Sequence, residues 1–346
     1  MSTTWKYLPI LKWKQGERIA LRELFDAHWE VTVPLIEVMS EPVGQDSTSF
    51  RAGMDEVGRK MEAAIPDGKP IAIDARYVDP AYGSQAKLLF AVCKRIARTS
   101  KRAIIPVVSE TMTALNLSQL EEEFPEVILR IHTPSVAPMQ ITGFVANLTG
   151  QGYTKKRIHI LVDQFSIVKE DVGAKTAAVK PFLQEAFAVG CRSVTLSGGA
   201  FPINLTGYKQ GAHTIPRVEW QVWSRIQKTR EFPGLRYADY TVSNPAMPPA
   251  IDPLQLNPSI AIRYAGPTDW HLFKGGGFKG GRPGTYQGLC KLLMIDPVYS
   301  GSGFSFGDSE YAKKMASPKK PNPNGNPSSW RKEATSHHIA FVVSKL

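Results

Sequence analysis

The segment Ile158-His-Ile-Leu-Val-Asp-Gln-Phe165, followed by a polar helix-like stretch at Ala174–Val189 and then by Ser193-Val-Thr-Leu-Ser197, decides the fold. The first and last parts are short apolar runs rich in β-branched residues, which are typical of buried strands. The middle part carries apolar residues such as Val179 and Phe182 at helical spacing. Strand, helix and strand in this order predict a βαβ unit, in which a helix connects two parallel strands.

The same unit repeats along the chain. Short apolar runs predict eight strands, at Tyr7–Trp13, Thr32–Val38, Pro70–Tyr77, Ala103–Ser109, Val127–His132, Ile158–Phe165, Ser193–Ser197 and Leu235–Val242. Their starts recur about every 33 residues, the size of a βαβ step. Eight such units predict an α/β fold, a (β/α)8 barrel of the TIM type. An open doubly wound sheet is the alternative, and the first strand is followed by neither GxGxxG nor GxxxxGK[ST], which such sheets often carry.

The domain prediction divides the chain at residue 257. Residues 1–257 are predicted to form the barrel, and residues 258–346 a C-terminal extension packed on it. The extension is predicted to contain a β-like run at Ser259–Tyr264, a glycine-rich basic loop within Trp270–Gly284, a helix at Tyr286–Met294 and a closing helix at Ser328–Leu346. The glycine-rich loop, with Lys274, Lys279 and Arg282 among aromatic residues, would suit phosphates or bases, or simply be solvated.

The closing helix carries the pair His337-His338. Adjacent helical residues point about 100° apart, so only one of the two is expected to face any given site. Ser328 or Ser329 is the expected N-cap.

Composition limits the class of protein. The chain has 346 residues, and 42 Lys and Arg against 31 Asp and Glu give a formal charge of +11. Hydrophobic residues make up 42% of the chain, which is typical of a folded protein and argues against disorder. Three cysteines exclude a disulfide framework and fit a reducing compartment. The sequence has neither a signal peptide nor an apolar run of roughly 20 residues, so we expect a cytoplasmic protein without a membrane segment.

Ionisable residues stand late in most of the predicted strands, at matching parity. In a closed parallel barrel the C-terminal strand ends carry the site, so these side chains are expected to share one pocket. The predicted catalytic residues are Glu37, Asp74, Asp163, Asp239 and His132. The predicted substrate-binding cations are Lys12, Lys14, Arg76 and Arg130. In the fourth strand either Ser109 or Glu110 takes the equivalent place. A buried salt-bridge layer that only fills space is the alternative.

Two chemistries suit such a pocket. In one, the four acids bind a hard divalent cation such as magnesium or manganese through oxygen ligands, with His132 as a further ligand or a base. In the other, which the pattern favours, the cations hold an anionic substrate and a carboxylate or His132 moves the proton. The sequence alone does not decide whether the pocket binds magnesium or manganese, although the lack of an HxH or HExxH pair argues against zinc.

Ser197-Gly198-Gly199 stands at the end of the seventh predicted strand. Loops after strands seven and eight of such barrels often hold a phosphate on exposed backbone N–H groups. The motif predicts a phosphate site, with an ordinary tight turn as the alternative.

Three segments carry a resemblance to a known family. They are Tyr7-Leu-Pro-Ile-Leu-Lys-Trp-Lys-Gln-Gly-Glu-Arg-Ile-Ala-Leu, Val33-Pro-Leu-Ile-Glu-Val and Ser329-Trp with Ser336-His-His-Ile. With them, almost the whole chain resembles the beta protein family of phages and bacteria. The positions that match the family pattern are Lys12, Lys14, Glu17, Glu37, Trp330 and His338. The resemblance implies a phage or phage-defence setting and supplies no reaction.

The sequence thus predicts a barrel whose pocket binds an anionic small molecule, either phosphate-bearing or a nucleotide, and hydrolyses it by acid–base chemistry. Whether there is turnover stays open, since a non-catalytic sensor or a module that docks a phage or host protein would need the same charges. A third hypothesis is nucleic-acid contact through the basic C-terminal segment. No helix-turn-helix, zinc-finger or RNP motif is present, which argues against sequence-specific DNA binding.

Overall fold

The computed structural model describes residues 5–39, 47–248, 257–282, 284–316 and 324–346. Within them the strands are β1 Tyr7–Lys12, β2 Leu35–Met39, β3 Ile71–Tyr77, β4 Ile104–Ser109, β5 Val127–His132, β6 Ile158–Ser166, β7 Ser193–Gly199, β8 Gly211–Pro216, β9 Arg236–Asp239, β10 Ser259–Ala265 and β11 Asp269–Gly277. Strands β1 to β7 and β9 are all parallel and form a closed barrel, in which β9 pairs with both β7 and β1. Closure confirms the (β/α)8 prediction and excludes the open sheet.

Most of the helices pack on the outside of this barrel. The helix bounds are α1 Gln15–Arg22, α2 Asp26–Trp29, α3 Ser47–Glu62, α4 Gln85–Ser100, α5 Ser118–Glu123, α6 Gln140–Gly150, α7 Val172–Ala188, α8 Val218–Thr229, α9 Thr285–Ile295, α10 Phe306–Ala316 and α11 Pro327–Val343. Helices α9 and α10 are the exceptions, since they pack in the C-terminal part of the chain against β10, β11 and α11. Outward strand residues such as Ile73 and Leu129 pack with helix residues such as Val92 and Leu183 in one continuous core. Burying each such side chain contributes about 1.5–3 kcal/mol, so this layer supplies most of the driving force for folding.

The barrel interior is apolar at its N-terminal end and charged above it. Leu8, Ile10 and Leu35 are among the inward residues that fill the lower part, together with residues of the other strands. Alternate residues of a strand share a face, so Lys12 and Glu37 continue the same inward rows one step further along. The strand-end charges predicted from the sequence therefore lie directly above a packed apolar layer.

A second, three-stranded antiparallel sheet has the order β10-β11-β8. The predicted run at Ser259–Tyr264 is confirmed as β10, but β8, which lies between β7 and α8, was not predicted. The glycine-rich stretch was expected to be a loop, and this was wrong as far as Gly277. That part is β11, the central strand, whose backbone pairs on both edges. Lys274 within it donates to the carbonyl oxygen of Tyr208 at 2.6 Å.

The terminal helix α11 packs on the barrel wall. Its residues Ile339 and Val342 belong to the outer core, and its Arg331 lies against α1, where a Cβ on Gly16 would be 2.8 Å from the Arg331 Cβ. The N-cap is Asn326 in a capping box with Ser329, not Ser328 or Ser329 as predicted. Asn326 takes this role because its side chain accepts the Ser329 N–H at 3.0 Å.

Candidate functional site

Arg130 lies near the C-terminal end of the barrel interior and binds three carboxylates. Its Nε donates to Oδ2 of Asp163 at 3.0 Å. Its Nη1 lies 3.1 Å from Oε1 of Glu37 and 2.5 Å from Oδ2 of Asp74. Its Nη2 donates to the hydroxyl of Tyr240, which itself donates to Oδ2 of Asp163 at 2.6 Å. The structure thus brings together the strand-end charges of β2, β3, β5 and β6, as their parity predicted.

Burial and mutual attraction compete inside this cluster. Burial alone would raise the pKa of Asp163, but Arg130 and hydrogen bonds from Tyr240 and the Phe165 N–H lower it below its usual range. For Glu37 burial prevails over Arg130 and Lys12, so its pKa is raised. Burial lowers the pKa of Lys12 to about 8, although Glu37 opposes this. Asp163 is therefore held ionised beside Arg130 at neutral pH.

A loop after β9, residues 240–248, covers one half of the barrel mouth. Lys12 Nζ donates to the carbonyl oxygens of Asn244 at 2.7 Å and Pro245 at 3.0 Å, and the Tyr77 hydroxyl donates to Pro245 O at 3.0 Å. A Cβ on Gly199 would lie 2.6 Å from Pro245 Cδ, so only glycine admits the loop this closely. Lys12 is consequently buried and holds the loop instead of facing the open pocket.

The other half of the mouth is open. A pocket of about 430 Å³ lies over the ends of β3, β4 and β5, a volume in the range of small-molecule sites. Its polar lining consists of Asp74, Arg76, Gln85, Ser109, Glu110, Thr111, Arg130, His132 and Ser135. Leu88, Leu89 and Met112 supply apolar wall. Both candidates for the fourth strand end, Ser109 and Glu110, therefore line it.

Arg76 is the accessible cation of this pocket. Its side chain is 32% exposed, and its Nη1 lies 3.7 Å from Oε1 of Glu37. The guanidinium carbon lies 5.5 Å from the ring centre of Tyr77 and 5.8 Å from that of Phe165. Within the described part of the chain no hydrogen bond is made by the guanidinium, so its donors stay available to a ligand while the two rings fix its position.

His132 is the second unsatisfied group. Its Nδ1 lies 2.6 Å from Ser135 Oγ, while its buried Nε2 has no hydrogen-bond partner among the residues described. Burial lowers its pKa, although Asp163 opposes this, so the imidazole is neutral at pH 7. The ring meets Phe165 edge-on with 4.8 Å between centres, and Phe165 has a left-handed φ of 59°. Such strain in a non-glycine residue is typical of functional sites.

Asp239 does not belong to this pocket. In the pairing of β9 with β1, Ala238 stands opposite Leu8 and Asp239 opposite Pro9, so the prediction that Asp239 faces inward was wrong. A shift of one residue moves a side chain to the other face of a strand, and Tyr240 has the inward place instead. On the outer side of the wall, Asp239 Oδ2 lies 2.8 Å from Nε2 of His338.

The two histidines of α11 confirm the expectation that they face different surroundings. His337 contacts Asp308 Oδ2 at 2.9 Å and the Ala265 carbonyl at 3.0 Å, whereas His338 contacts Asp239. Both histidines are fully buried, so neither lines the mouth pocket.

The motif Ser197-Gly198-Gly199 lies inside β7. A Cβ on Gly198 would be 2.8 Å from Ile167 Cδ1. Gly198 and Gly199 are therefore both explained by the close packing of neighbouring side chains. Ser197 Oγ is buried without a hydrogen-bond partner among the described residues. A phosphate at this motif stays a prediction.

Lys14 is exposed and lines a separate cleft beside α1 instead of the mouth pocket. Sequence reasoning missed Tyr240, which contacts Arg130 and Asp163, and three polar residues of the pocket lining, Gln85, Thr111 and Ser135. The inward place of Tyr240 follows from the pairing of β9 with β1, which the segment alone does not reveal. Ser135 lies in a one-turn helix after β5 and has no periodic pattern to mark it.

A metal is not favoured by this geometry. The residues described contain no group of three or more His, Cys, Asp or Glu side chains arranged to hold a metal ion. Glu37, Asp74 and Asp163 turn toward Arg130, whose guanidinium stands where a cation bound by these three acids would lie. The magnesium or manganese alternative therefore finds no preformed ligand set in the mouth.

None of the described helices has the length and apolar character needed to cross a membrane. A comparison with curated proteins found no match. The family model described as "Beta protein" matches residues 7–344, nearly the whole chain. That match extends from β1 to the last turn of α11, including the barrel, the antiparallel sheet and the closing helix. The chain therefore belongs to the Beta protein family.

Proposed function

We propose that the open half of the barrel mouth binds a small anionic ligand that carries phosphate, such as a nucleotide. The observation that carries this proposal is Arg76, a partly exposed guanidinium held between two aromatic rings with its donors unused in the described part of the chain. Arginine presents a planar set of donors that matches the oxygens of phosphate. The volume of about 430 Å³ and the apolar wall leave room for a base or sugar beside the phosphate.

We further propose that bound ligand is hydrolysed with His132 as the acid–base group. The neutral imidazole would take the proton from a water molecule whose oxygen attacks phosphorus, and Arg76 would stabilise the charge on the phosphoryl oxygens. The bond from phosphorus to the leaving oxygen then breaks, and the imidazolium returns its proton to that oxygen. Asp163 is fixed as a partner of Arg130 and orients the floor of the site.

Calorimetric titration of the full chain with a panel of nucleotides, followed by mass spectrometry of the mixtures, tests both parts. Arg76→Gln should weaken binding about tenfold or more, since a charge-assisted contact is lost. Arg98→Gln is the matched control, because Arg98 is an exposed arginine on α4. Equal affinity in Arg76→Gln and wild type would overturn the binding proposal.

The chemistry has a separate readout. His132→Gln should keep affinity within a few fold and lose turnover. Tight binding with unchanged ligand in the wild type would instead favour the alternative, a non-catalytic sensor in which His132 only contacts ligand.

The setting is a proposal as well. The family resemblance implies a role in phage infection or phage defence, and we propose a cytoplasmic location and a phage or host protein as a further partner. Plaque formation on bacteria that express the wild type or Arg76→Gln measures this. A difference in plaque counts between these two strains would link the pocket to infection. Equal plaque counts in the wild-type strain and in a strain with an empty vector would contradict the setting.

A further inference from the structure

We propose a second anion site, separate from the barrel mouth, in a cleft between α1, the 240–248 loop, β10 and α11. Four cations and one acid line it, namely Lys12, Lys14, Arg263, Arg331 and Glu17. The site would take a single phosphate-type oxyanion. This inference does not rest on the proposed function of the mouth pocket.

Two arginines converge at the centre of the cleft. Arg263 Nη1 donates to the carbonyl oxygen of Val242 at 3.0 Å, and Arg331 Nη1 donates to the same oxygen at 3.2 Å. Arg331 Nη1 also lies 2.5 Å from Ser243 Oγ. Two guanidinium groups on one carbonyl place like charges side by side, an arrangement that a bound anion would stabilise.

The acids nearby do not balance these cations. Arg331 Nε lies 3.6 Å from Oε1 of Glu17, and Lys12 Nζ lies 3.9 Å from Oε2 of Glu37. For Arg263 and Lys14 the described residues provide no carboxylate within ion-pair distance. The cleft thus keeps a local excess of positive charge.

The excess positive charge is energetically unfavourable because the Arg263 guanidinium is partly removed from water. The side chain is half-buried on β10, and its guanidinium carbon lies 4.8 Å from the ring centre of Phe201. Burial together with Arg331 depresses the pKa of Arg263 well below its usual range, against the opposing effect of Glu17. A desolvated cation without a counter-charge is unfavourable, so an anion in the cleft would relieve an existing penalty instead of creating a new one.

The size of the cleft sets the ligand class. Its volume is about 80 Å³, whereas the mouth pocket has about 430 Å³. A small opening with several convergent cations fits one tetrahedral oxyanion and not a whole nucleotide. Beyond Arg263 and Arg331, a further hollow of about 140 Å³ next to Trp330 would admit the rest of a larger molecule that ends in a phosphate.

Thermal unfolding of the full chain with inorganic phosphate, at an ionic strength kept constant with chloride, tests the site. Phosphate should raise the Tm saturably in the wild type. Arg331→Gln should raise the apparent Kd for phosphate about tenfold or more. Arg263→Gln should raise the Tm without phosphate, because an unbalanced charge is removed, and should abolish the phosphate response that remains when Arg76 is replaced by Gln.

Two control variants locate the effect. Lys291→Gln removes an exposed lysine of α9 that does not line the cleft, and its response should equal that of the wild type. Arg76→Gln removes the phosphate-binding arginine proposed for the mouth pocket, so the response that remains in this variant reports the cleft and should still depend on Arg331. A response that is lost in Arg76→Gln but kept in Arg331→Gln would show that the anion binds in the mouth pocket, and this would overturn the cleft site. The absence of any response in the wild type would overturn it as well.

The same titration with AMP separates two sources of the oxyanion. Saturable stabilisation by AMP that depends on Arg331 would identify the phosphate end of a larger ligand. Stabilisation by inorganic phosphate alone would identify a free anion. Equal responses to both probes in Arg76→Gln alone and in Arg76→Gln combined with Arg331→Gln would show that no anion binds in the cleft and would overturn the proposal.

Discussion

Two clusters of buried charge lie on opposite sides of the same barrel wall. Inside the wall, Arg130 makes hydrogen bonds to the carboxylates of Glu37, Asp74 and Asp163. Outside it, Asp239 contacts His338, and Tyr7 donates to its Oδ1 at 2.7 Å. Both clusters are inaccessible to solvent at their centres. The inner one is built from strand-end residues, whereas the outer one joins Asp239, the last residue of β9, to His338 of α11.

They differ in how completely their polar atoms are satisfied and in what lies beside them. The outer cluster also contains Arg217, whose Nη2 lies 3.9 Å from Asp239 Oδ2, and Glu219, whose Oε1 lies 3.5 Å from Arg217 Nε. Arg217 Nε and Nη2, both carboxylate oxygens of Glu219 and Nδ1 of His338 have no hydrogen-bond partner among the described residues. The inner cluster borders an open pocket, whereas α11 covers the outer one. The comparison teaches that buried charge alone does not identify a site, and that access to a cavity does.

Removing the centre of the inner cluster should have the largest effect on folding. Arg130→Ala leaves three buried carboxylates without their partner, and breaking a buried pair costs about 3–5 kcal/mol. The free energy of unfolding from urea titration should fall by at least that amount. Arg98→Ala, at an exposed arginine, should change it by less than about 0.5 kcal/mol. A small loss in Arg130→Ala would mean that the inner cluster is not a stabilising unit.

The outer cluster should also contribute stability but not binding. His338 hydrogen-bonds Asp239 and stacks on Trp270 with 4.8 Å between ring centres. His338→Ala should therefore lower the free energy of unfolding by about 2–4 kcal/mol, through a lost bond and a cavity. His213→Ala, at a surface histidine, is the control. If folded His338→Ala bound nucleotides with altered affinity, the outer cluster would contribute to binding, and the distinction between a binding cluster and a structural cluster would be wrong.

Glu219 of the outer cluster and Asp163 of the inner cluster should respond to pH with opposite signs. Burial raises the pKa of Glu219 to about 7, although Arg217 opposes this. The folded state then binds a proton that the unfolded chain has lost, so this group's stabilising contribution declines as the pH rises from about 4.5 toward 7. The decline amounts to about 3 kcal/mol, at about 1.36 kcal/mol for each pKa unit between 4.5 and 7. Asp163, with its lowered pKa, loses its contribution only as the pH falls below its ordinary range.

Urea titrations between pH 5 and 8 measure this difference. Glu219→Gln should flatten the decline toward high pH, because the amide cannot ionise. Glu170→Gln, at an exposed acid, provides the matched control. An unchanged pH slope in Glu219→Gln would show that Glu219 does not titrate in this range.

The smallest effect on stability is expected at Arg76. Its contact with Glu37 is 3.7 Å long and its side chain is about one third exposed, so Arg76→Gln should cost less than about 1 kcal/mol. Urea titration of this variant, next to its weakened ligand binding, would separate recognition from folding. A loss as large as that of Arg130→Ala would place Arg76 in the structural core of the inner cluster.

Local patterns sufficed to predict the eight strands of the barrel and most of the inner cluster. Strand β5, predicted at Val127–His132, has those bounds in the structure, because its apolar run ends in charged residues and a turn. The sequence predicted that Arg130 shares one pocket with Glu37, Asp74 and Asp163, because side chains alternate along a strand and parallel strands end at one face of a barrel.

Long-range contacts decided the rest. The register of β9 against β1 set Ala238 inward and Asp239 outward, and no property of the segment itself reveals it. The burial of Lys12 depends on the carbonyls of Asn244 and Pro245, more than 200 residues away. The basic cleft likewise exists only because α1, β10 and α11 meet. Periodicity is a property of neighbouring residues, whereas accessibility and charge balance arise from residues that only the folded chain brings together.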